Sequence, residues 1–167
     1  WKQNFADIFE TPRLPEDPSY YICAPSITDP TVAPKGTENL FVLVPIPANL
    51  TISPEEQERY AQKILGSMEI KIPIPDLRKR ILYQQIFSTK QFEERYHSFG
   101  GTALGLAHTL TQTAIFRPNN ISKKVKNLYF VGGNTNPGIG MPMCLVSAQL
   151  VYKRLTHDRS ARALTRL

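Results

Sequence analysis

The strongest constraint on this chain is a run of glycines set between a strand-like segment and a helix-like one. After Asn127-Leu128-Tyr129-Phe130-Val131, four glycines fall in the nine positions from Gly132 to Gly140, and Met143 to Leu155 reads as a helix. Glycine reaches positive φ and lets another group approach the main chain with no Cβ in the way. A glycine loop that enters a helix suits a phosphate or an anionic ring edge, because loop N–H groups and the helix's positive end point the same way. A tight turn for packing is the plainer reading, but the loop is longer than a turn needs. It is neither G-x-G-x-x-G nor a P-loop. If it holds a cofactor it supplies a second contact, and the primary fingerprint is expected upstream of Trp1.

The rest of the chain alternates strand and helix signals. Trp1–Glu10 predicts a helix end with Phe5, Ile8 and Phe9 on its apolar face. Tyr20–Ala24 and Leu40–Val44 predict buried strands, separated by a long proline-marked turn in which Asp29 caps. Ser53-Pro54-Glu55-Glu56 is a helix start with a capping box, and Tyr60, Ile64 and Met68 share the inner face of the helix it begins. Leu77–Ser88, with Ile81, Tyr83 and Ile86, predicts a third strand, and Thr89 is expected to cap a short helix through Tyr96. Asn127–Val131 predicts another buried strand. The last dozen residues read as a frayed tail. This order argues an α/β or α+β chain.

Composition narrows the function classes. The net charge is +6, with basic clusters at Arg78-Lys79-Arg80 and at Lys123, Lys124 and Lys126. Neither cluster has the interleaved aromatics of a single-strand nucleic-acid groove, so no nucleic-acid partner is expected and solvated faces are the default. Cys23 and Cys144 lack metal-ligand spacing and read as buried free thiols in a reducing, intracellular setting. No metal site is expected. No apolar run reaches the roughly 18 residues of a membrane-spanning helix. Without an initiator Met or a signal pattern, the chain reads as a piece of a longer polypeptide.

Several blocks carry a family resemblance. Phe116-Arg117-Pro118-Asn119-Asn120, followed by Lys126-Asn127-Leu128-Tyr129-Phe130-Val131 and Gly132 to Pro142, resembles the C-terminal signature of the phytoene desaturase family of carotenoid desaturases. Phe99-Gly100-Gly101-Thr102-Ala103-Leu104-Gly105-Leu106 is similar to the glycine-rich stretch before that signature. Cys23-Ala24-Pro25-Ser26-Ile27-Thr28-Asp29-Pro30-Thr31-Val32-Ala33-Pro34, then Asn39 to Pro45, resembles an earlier element in the same order. Asn136 stands where many members have His, and Asn134 where many have a small residue.

The resemblance implies a glutathione-reductase-like flavoprotein. Residues 1–113 would belong to its substrate-binding region, 114–156 to the C-terminal part of its FAD-binding domain, and 157–167 to a tail. FAD is the implied cofactor. Gly132, Gly133, Asn134 and Thr135 would lie along its ribityl and phosphate part, with Gly138 in the same loop. Gly140, Met141 and Pro142 would lie near the flavin ring. The implied reaction is dehydrogenation of phytoene or a related polyene, with Leu104, Leu106, Leu110, Ile115 and Phe116 as candidate tunnel lining. No catalytic residue is assigned. His108, the tempting acid–base group, reads as structural on a packed segment; His97 and His157 read as exposed. Arg117 is open between a cofactor or anion contact and a salt bridge. A lipid-soluble substrate implies peripheral membrane association, and a homo-oligomer stays open. The alternatives are a carotenoid isomerase, another amine-oxidase-like flavoenzyme, or a non-catalytic fragment without the N-terminal dinucleotide-binding unit.

Overall fold

The computed structural model describes residues 1–164. The chain divides into two compact units between Gly101 and Thr102. The first contains α1 (Lys2–Phe9), β1 (Tyr21–Cys23), α2 (Pro25–Thr28), β2 (Phe41–Leu43), α3 (Pro54–Lys71), α4 (Leu77–Arg80) and α5 (Thr89–Tyr96). The second contains α6 (Met141–Leu155), preceded by short 3-10 turns at Leu110–Gln112 and Ala114–Phe116. Mixed helix with little sheet fits the α/β or α+β expectation at that coarse level.

The first unit is organised by α3. Ser53 Oγ accepts the Glu56 N–H at 3.1 Å, Pro54 occupies the first turn, and Lys71 sits in the last turn, where a cation suits the helix dipole. Ile64 and Met68, four apart, lie on one face and form a buried cluster with Leu77. Ile22 of β1 and Val42 of β2, register partners in an antiparallel pair, pack against that cluster with Tyr20, Val44 and Tyr60. Asp29 caps the turn between the strands, accepting the Thr31 N–H at 2.9 Å.

Three local expectations are corrected. Helix α1 forms, but it buries Asn4 and Asp7 and leaves Phe5 and Phe9 exposed. The polar groups of Asn4 and Asp7 are largely paired: Asp7 Oδ1 accepts from Gln3 at 2.9 Å and from Arg13 at 2.8 Å, and Asn4 Nδ2 donates to Ser19 Oγ at 2.8 Å, although Asn4 Oδ1 is buried without a partner. The helix before residue 96 is capped one residue earlier than expected, by Ser88, whose N–H donates to Gln91 Oε1 at 2.9 Å. Thr89 instead donates its hydroxyl to the Leu50 carbonyl at 2.6 Å.

The third correction concerns strands. Leu77–Ser88 begins as the short helix α4, tethered by Arg78 to Glu69 at 2.8 Å, and continues without ladder partners, with Leu82 and Tyr83 exposed. Asn127–Val131 makes one isolated bridge, Tyr129 to Ile121, and leaves Leu128, Phe130 and Val131 exposed. A strand needs a neighbour for its N–H and C=O groups. Among the described residues the one sheet is the β1–β2 pair, so neither segment has a ladder to join.

In the second unit, α6 matches the helix expected after the glycine loop, starting two residues earlier. Val151 is buried, whereas Leu145 on the same helix is exposed. Beyond α6, Ser160 N–H donates to Asp158 at 2.8 Å, and Lys153 Nζ donates to the Ser160 carbonyl at 2.8 Å. Of the tail expected over 157–167, residues 165–167 lie outside the described residues. No helix among the described residues is long and apolar enough to cross a membrane. Cys23 and Cys144 are free thiols, half-buried rather than fully buried.

Candidate functional site

The glycine loop is built on a buried polar hub. Asn120, Thr135 and Ser147 are buried together, and Ser147 shows 0% exposure. Asn120 Nδ2 donates toward the carbonyls of Phe130 at 3.1 Å and Asn136 at 3.0 Å, and lies 2.9 Å from Ser147 Oγ. Thr135 Oγ1 donates to the Gly132 carbonyl at 3.0 Å, and Ser147 Oγ accepts the Gly132 N–H at 3.0 Å. Each buried polar group thereby finds partners, as a low-dielectric interior demands. The hub joins the bridge segment, the loop and α6.

A second brace comes from Arg117, at 2% exposure. One guanidinium nitrogen donates to the Gly133 carbonyl at 2.5 Å and the other to the Gln112 carbonyl at 3.1 Å. The salt-bridge alternative does not occur among the described residues: no carboxylate meets this side chain, and its Nε is buried without a partner. On the other side of the loop, Asn134 Oδ1 accepts the Leu106 N–H at 3.1 Å. Gly105 permits that approach, because a Cβ there would collide with the Asn134 amide.

The eight candidate residues thus lie along one continuous path. Gly132, Gly138 and Gly140 all take positive φ, at 115°, 139° and 114°. A Cβ at Gly132 or Gly140 would meet nothing within 4 Å, so the main chain is open to an incoming group at both places. Gly140 is the residue before α6, and Met141 and Pro142 form its exposed first turn. Thr135 faces inward, its hydroxyl spent on the hub, and Asn134 is exposed with its amide oxygen engaged by Leu106. The path can present backbone N–H groups and a helix N-terminus to a ligand bearing phosphate or a flat polar ring.

The remaining candidates are dispersed. Leu104, Leu110, Ile115 and Phe116 are exposed, so these residues enclose no tunnel by themselves. His108 is exposed rather than packed, with its Cε1 3.7 Å from where a Gly138 Cβ would stand. His97 and His157 are exposed, as expected. No local sequence pattern marks Asn120 or Ser147 as members of the hub. The available signal for Ser147 was a small polar residue one turn before Val151 on an otherwise apolar helix face.

The second unit thus runs from a strand-like segment through a glycine loop into a helix, in a chain of mixed helix and little sheet. No family model matches the chain. It is 50% identical over 158 residues to a carotenoid 3,4-desaturase of Haloarcula japonica, covering 95% of this chain and 32% of that protein. It is 38% identical over 160 residues to a neurosporene-forming phytoene desaturase of Rhodobacter capsulatus, covering 93% of this chain and 30% of that protein. A 4,4'-diapophytoene desaturase of Staphylococcus haemolyticus is 35% identical over 163 residues, covering 95% and 32%. The chain belongs to the carotenoid and phytoene desaturase family, and it spans about a third of the length of the curated relatives it matches.

Proposed function

We propose that this chain is part of an FAD-dependent oxidoreductase that dehydrogenates a CH–CH bond of a carotenoid polyene such as phytoene. The observation that carries the reading is the braced glycine path from Gly132 to Pro142, in a chain whose relatives bear desaturase names. The residues suit FAD. Two glycines leave the main chain open, α6 points its N-terminus at the same region, and the buried Arg117 adds positive charge beneath the loop. FAD, when bound, supplies the acceptor for the hydrogen removed as the new double bond forms.

In this reading the protein's residues bind and orient. Gly132, Gly133, Asn134 and Thr135 lie along the ribityl and phosphate part, Thr135 shaping the loop from within, its N–H and hydroxyl both bonded to the Gly132 carbonyl. Gly140, Met141 and Pro142 border the ring, with the buried Gly138 in the same loop. Residues 1–113 belong to the substrate-binding region and 114–156 to the closing part of a glutathione-reductase-like FAD domain. A substrate without polar handles is held by apolar contact alone, for which the exposed side chains Leu104, Leu110, Ile115 and Phe116 are suited. A lipid-dissolved substrate places the enzyme at a membrane surface, where Arg78-Lys79-Arg80 and the lysines at 123, 124 and 126 would meet anionic headgroups.

The test is expression of the full-length protein in a phytoene-accumulating host, with pigment chromatography and flavin analysis of the purified protein. Flavin-loaded protein and longer-conjugated pigments are expected. Soluble, flavin-loaded protein with unchanged phytoene would reject the activity, and a product isomeric with the substrate would assign it to an isomerase.

A further inference from the structure

Arg117 carries a charge that nothing described in this chain neutralises. Burying an unpaired guanidinium is costly, and structures that retain one normally give it an anion or spend every donor. Here two donors go to carbonyls and Nε goes to none. The side chain is too deep, at 2% exposure, to serve as an ordinary ligand-binding surface arginine. It meets the loop at the Gly133 carbonyl, and its Nε lies 3.6 Å from where a Gly138 Cβ would stand.

The Gly133–Asn134 peptide is trans, since the cis bond of this loop is Asn136–Pro137. In a planar trans peptide the C=O and the following N–H point in opposite directions. With the Gly133 carbonyl drawn down onto the guanidinium, the Asn134 N–H is turned to the side away from Arg117, at a residue that is itself exposed. A charge-assisted bond on the carbonyl also polarises the peptide and strengthens the N–H as a donor. The hub and the Asn134–Leu106 bond hold the neighbouring atoms in place, so this orientation is braced on both sides.

We propose that Arg117 is a positioning residue that turns and polarises the Gly133–Asn134 peptide so that the Asn134 N–H binds an anionic group of the ligand, its phosphate. This rests on the FAD reading above and adds to it the residue that makes the loop prefer a phosphate-bearing ligand. Arg117 touches the loop and not the ligand. Its effect should therefore separate charged ligands from uncharged ones sharing the same ring.

The experiment uses the full-length protein stripped of flavin, titrated with FAD and with riboflavin, which has the ring and ribityl chain but no phosphate. Three forms are compared: wild type, Arg117→Lys and Arg117→Gln. In Arg117→Gln, which can still donate to one carbonyl but carries no charge, the preference for FAD over riboflavin should fall about tenfold, the scale of one charge-assisted hydrogen bond. Arg117→Lys should keep that preference within about threefold. A merely structural role would weaken both ligands alike. Equal preference in Gln and wild type overturns the proposal, as does equal loss in Lys and Gln. If the variants do not fold, the wild type decides: with asparagine selectively labelled with nitrogen-15, the Asn134 amide resonance must shift with FAD and not with riboflavin. An unmoved or equally moved resonance overturns the proposal. A wild-type protein that binds neither ligand rejects the FAD reading itself, a distinct result.

Discussion

Ser147 lies midway along α6 with no exposed surface, and its hydroxyl accepts the Gly132 N–H at the point where the loop leaves the strand-like segment. Ser147→Ala removes that acceptor while leaving the helix intact. A buried donor without its partner costs about 1–3 kcal/mol. The full-length protein should lose that much stability in urea unfolding, with bound flavin released at lower urea than in wild type. Unchanged stability would mean that water replaces the hydroxyl. At this scale the sequence was legible only in part. Gly132 and Gly140 announced an open main chain, and the structure places both at positive φ. Asn120 stood within a recognisable Phe-Arg-Pro-Asn-Asn stretch, but its role depends on four groups between 10 and 27 residues further along the chain. No local pattern encodes such a convergence.

Elements differ in how far they can be read, according to where their hydrogen bonds go. Helix α3 satisfies its own backbone, so its cap, its Pro54 and its Ile64/Met68 face were all visible in the sequence. The segments 81–86 and 127–131 have strand-like composition, but a strand is completed only by a neighbour, and composition does not say where that neighbour is. Met68 is the better probe of α3, being almost fully buried at the centre of the cluster with Ile64 and Leu77. Met68→Ala should cost about 2–5 kcal/mol, read from the urea midpoint of the full-length protein. Tyr60, one helix turn before Ile64, donates its hydroxyl to the Pro15 carbonyl at 3.0 Å. Burial, aided by the charge of Asp7, pushes its pKa from 10.0 up to about 12. A raised folded value means that its contribution is complete below 10.0 and is lost as pH climbs toward about 12. Tyr60→Phe should therefore flatten part of the alkaline fall in stability across that window. Parallel curves for the two proteins would reject the linkage.

At the scale of the chain, the balance of apolar surface decides what the 167 residues can do by themselves. Among the described residues the large buried apolar side chains are Ile64, Met68, Leu77 and Val151. In the second unit alone, Leu104, Leu110, Ile115, Phe116, Met141 and Leu145 remain exposed, Leu110 at 87% and Ile115 at 86%. Burying one such side chain is worth about 1.5–3 kcal/mol. A whole domain's net stability is only about 5–15 kcal/mol. Six unburied side chains therefore forgo an amount comparable to the entire margin. The polar hub cannot offset this, because a satisfied internal hydrogen bond contributes only about 0.5–1.5 kcal/mol net. Its net contribution is small beside that loss, and its main effect is to fix the geometry of the loop. The chain also spans about a third of the length of its relatives, so in a protein of their length there is further sequence to cover those surfaces. Expressed alone, the chain should bind the apolar dye ANS strongly and unfold without a sharp calorimetric transition. The full-length protein should unfold cooperatively with little dye bound. A sharp transition and no dye binding by the isolated chain would show that the exposed residues find cover within the chain itself. Leu104, Leu110, Ile115 and Phe116 would then be core rather than the substrate-facing surface proposed for them.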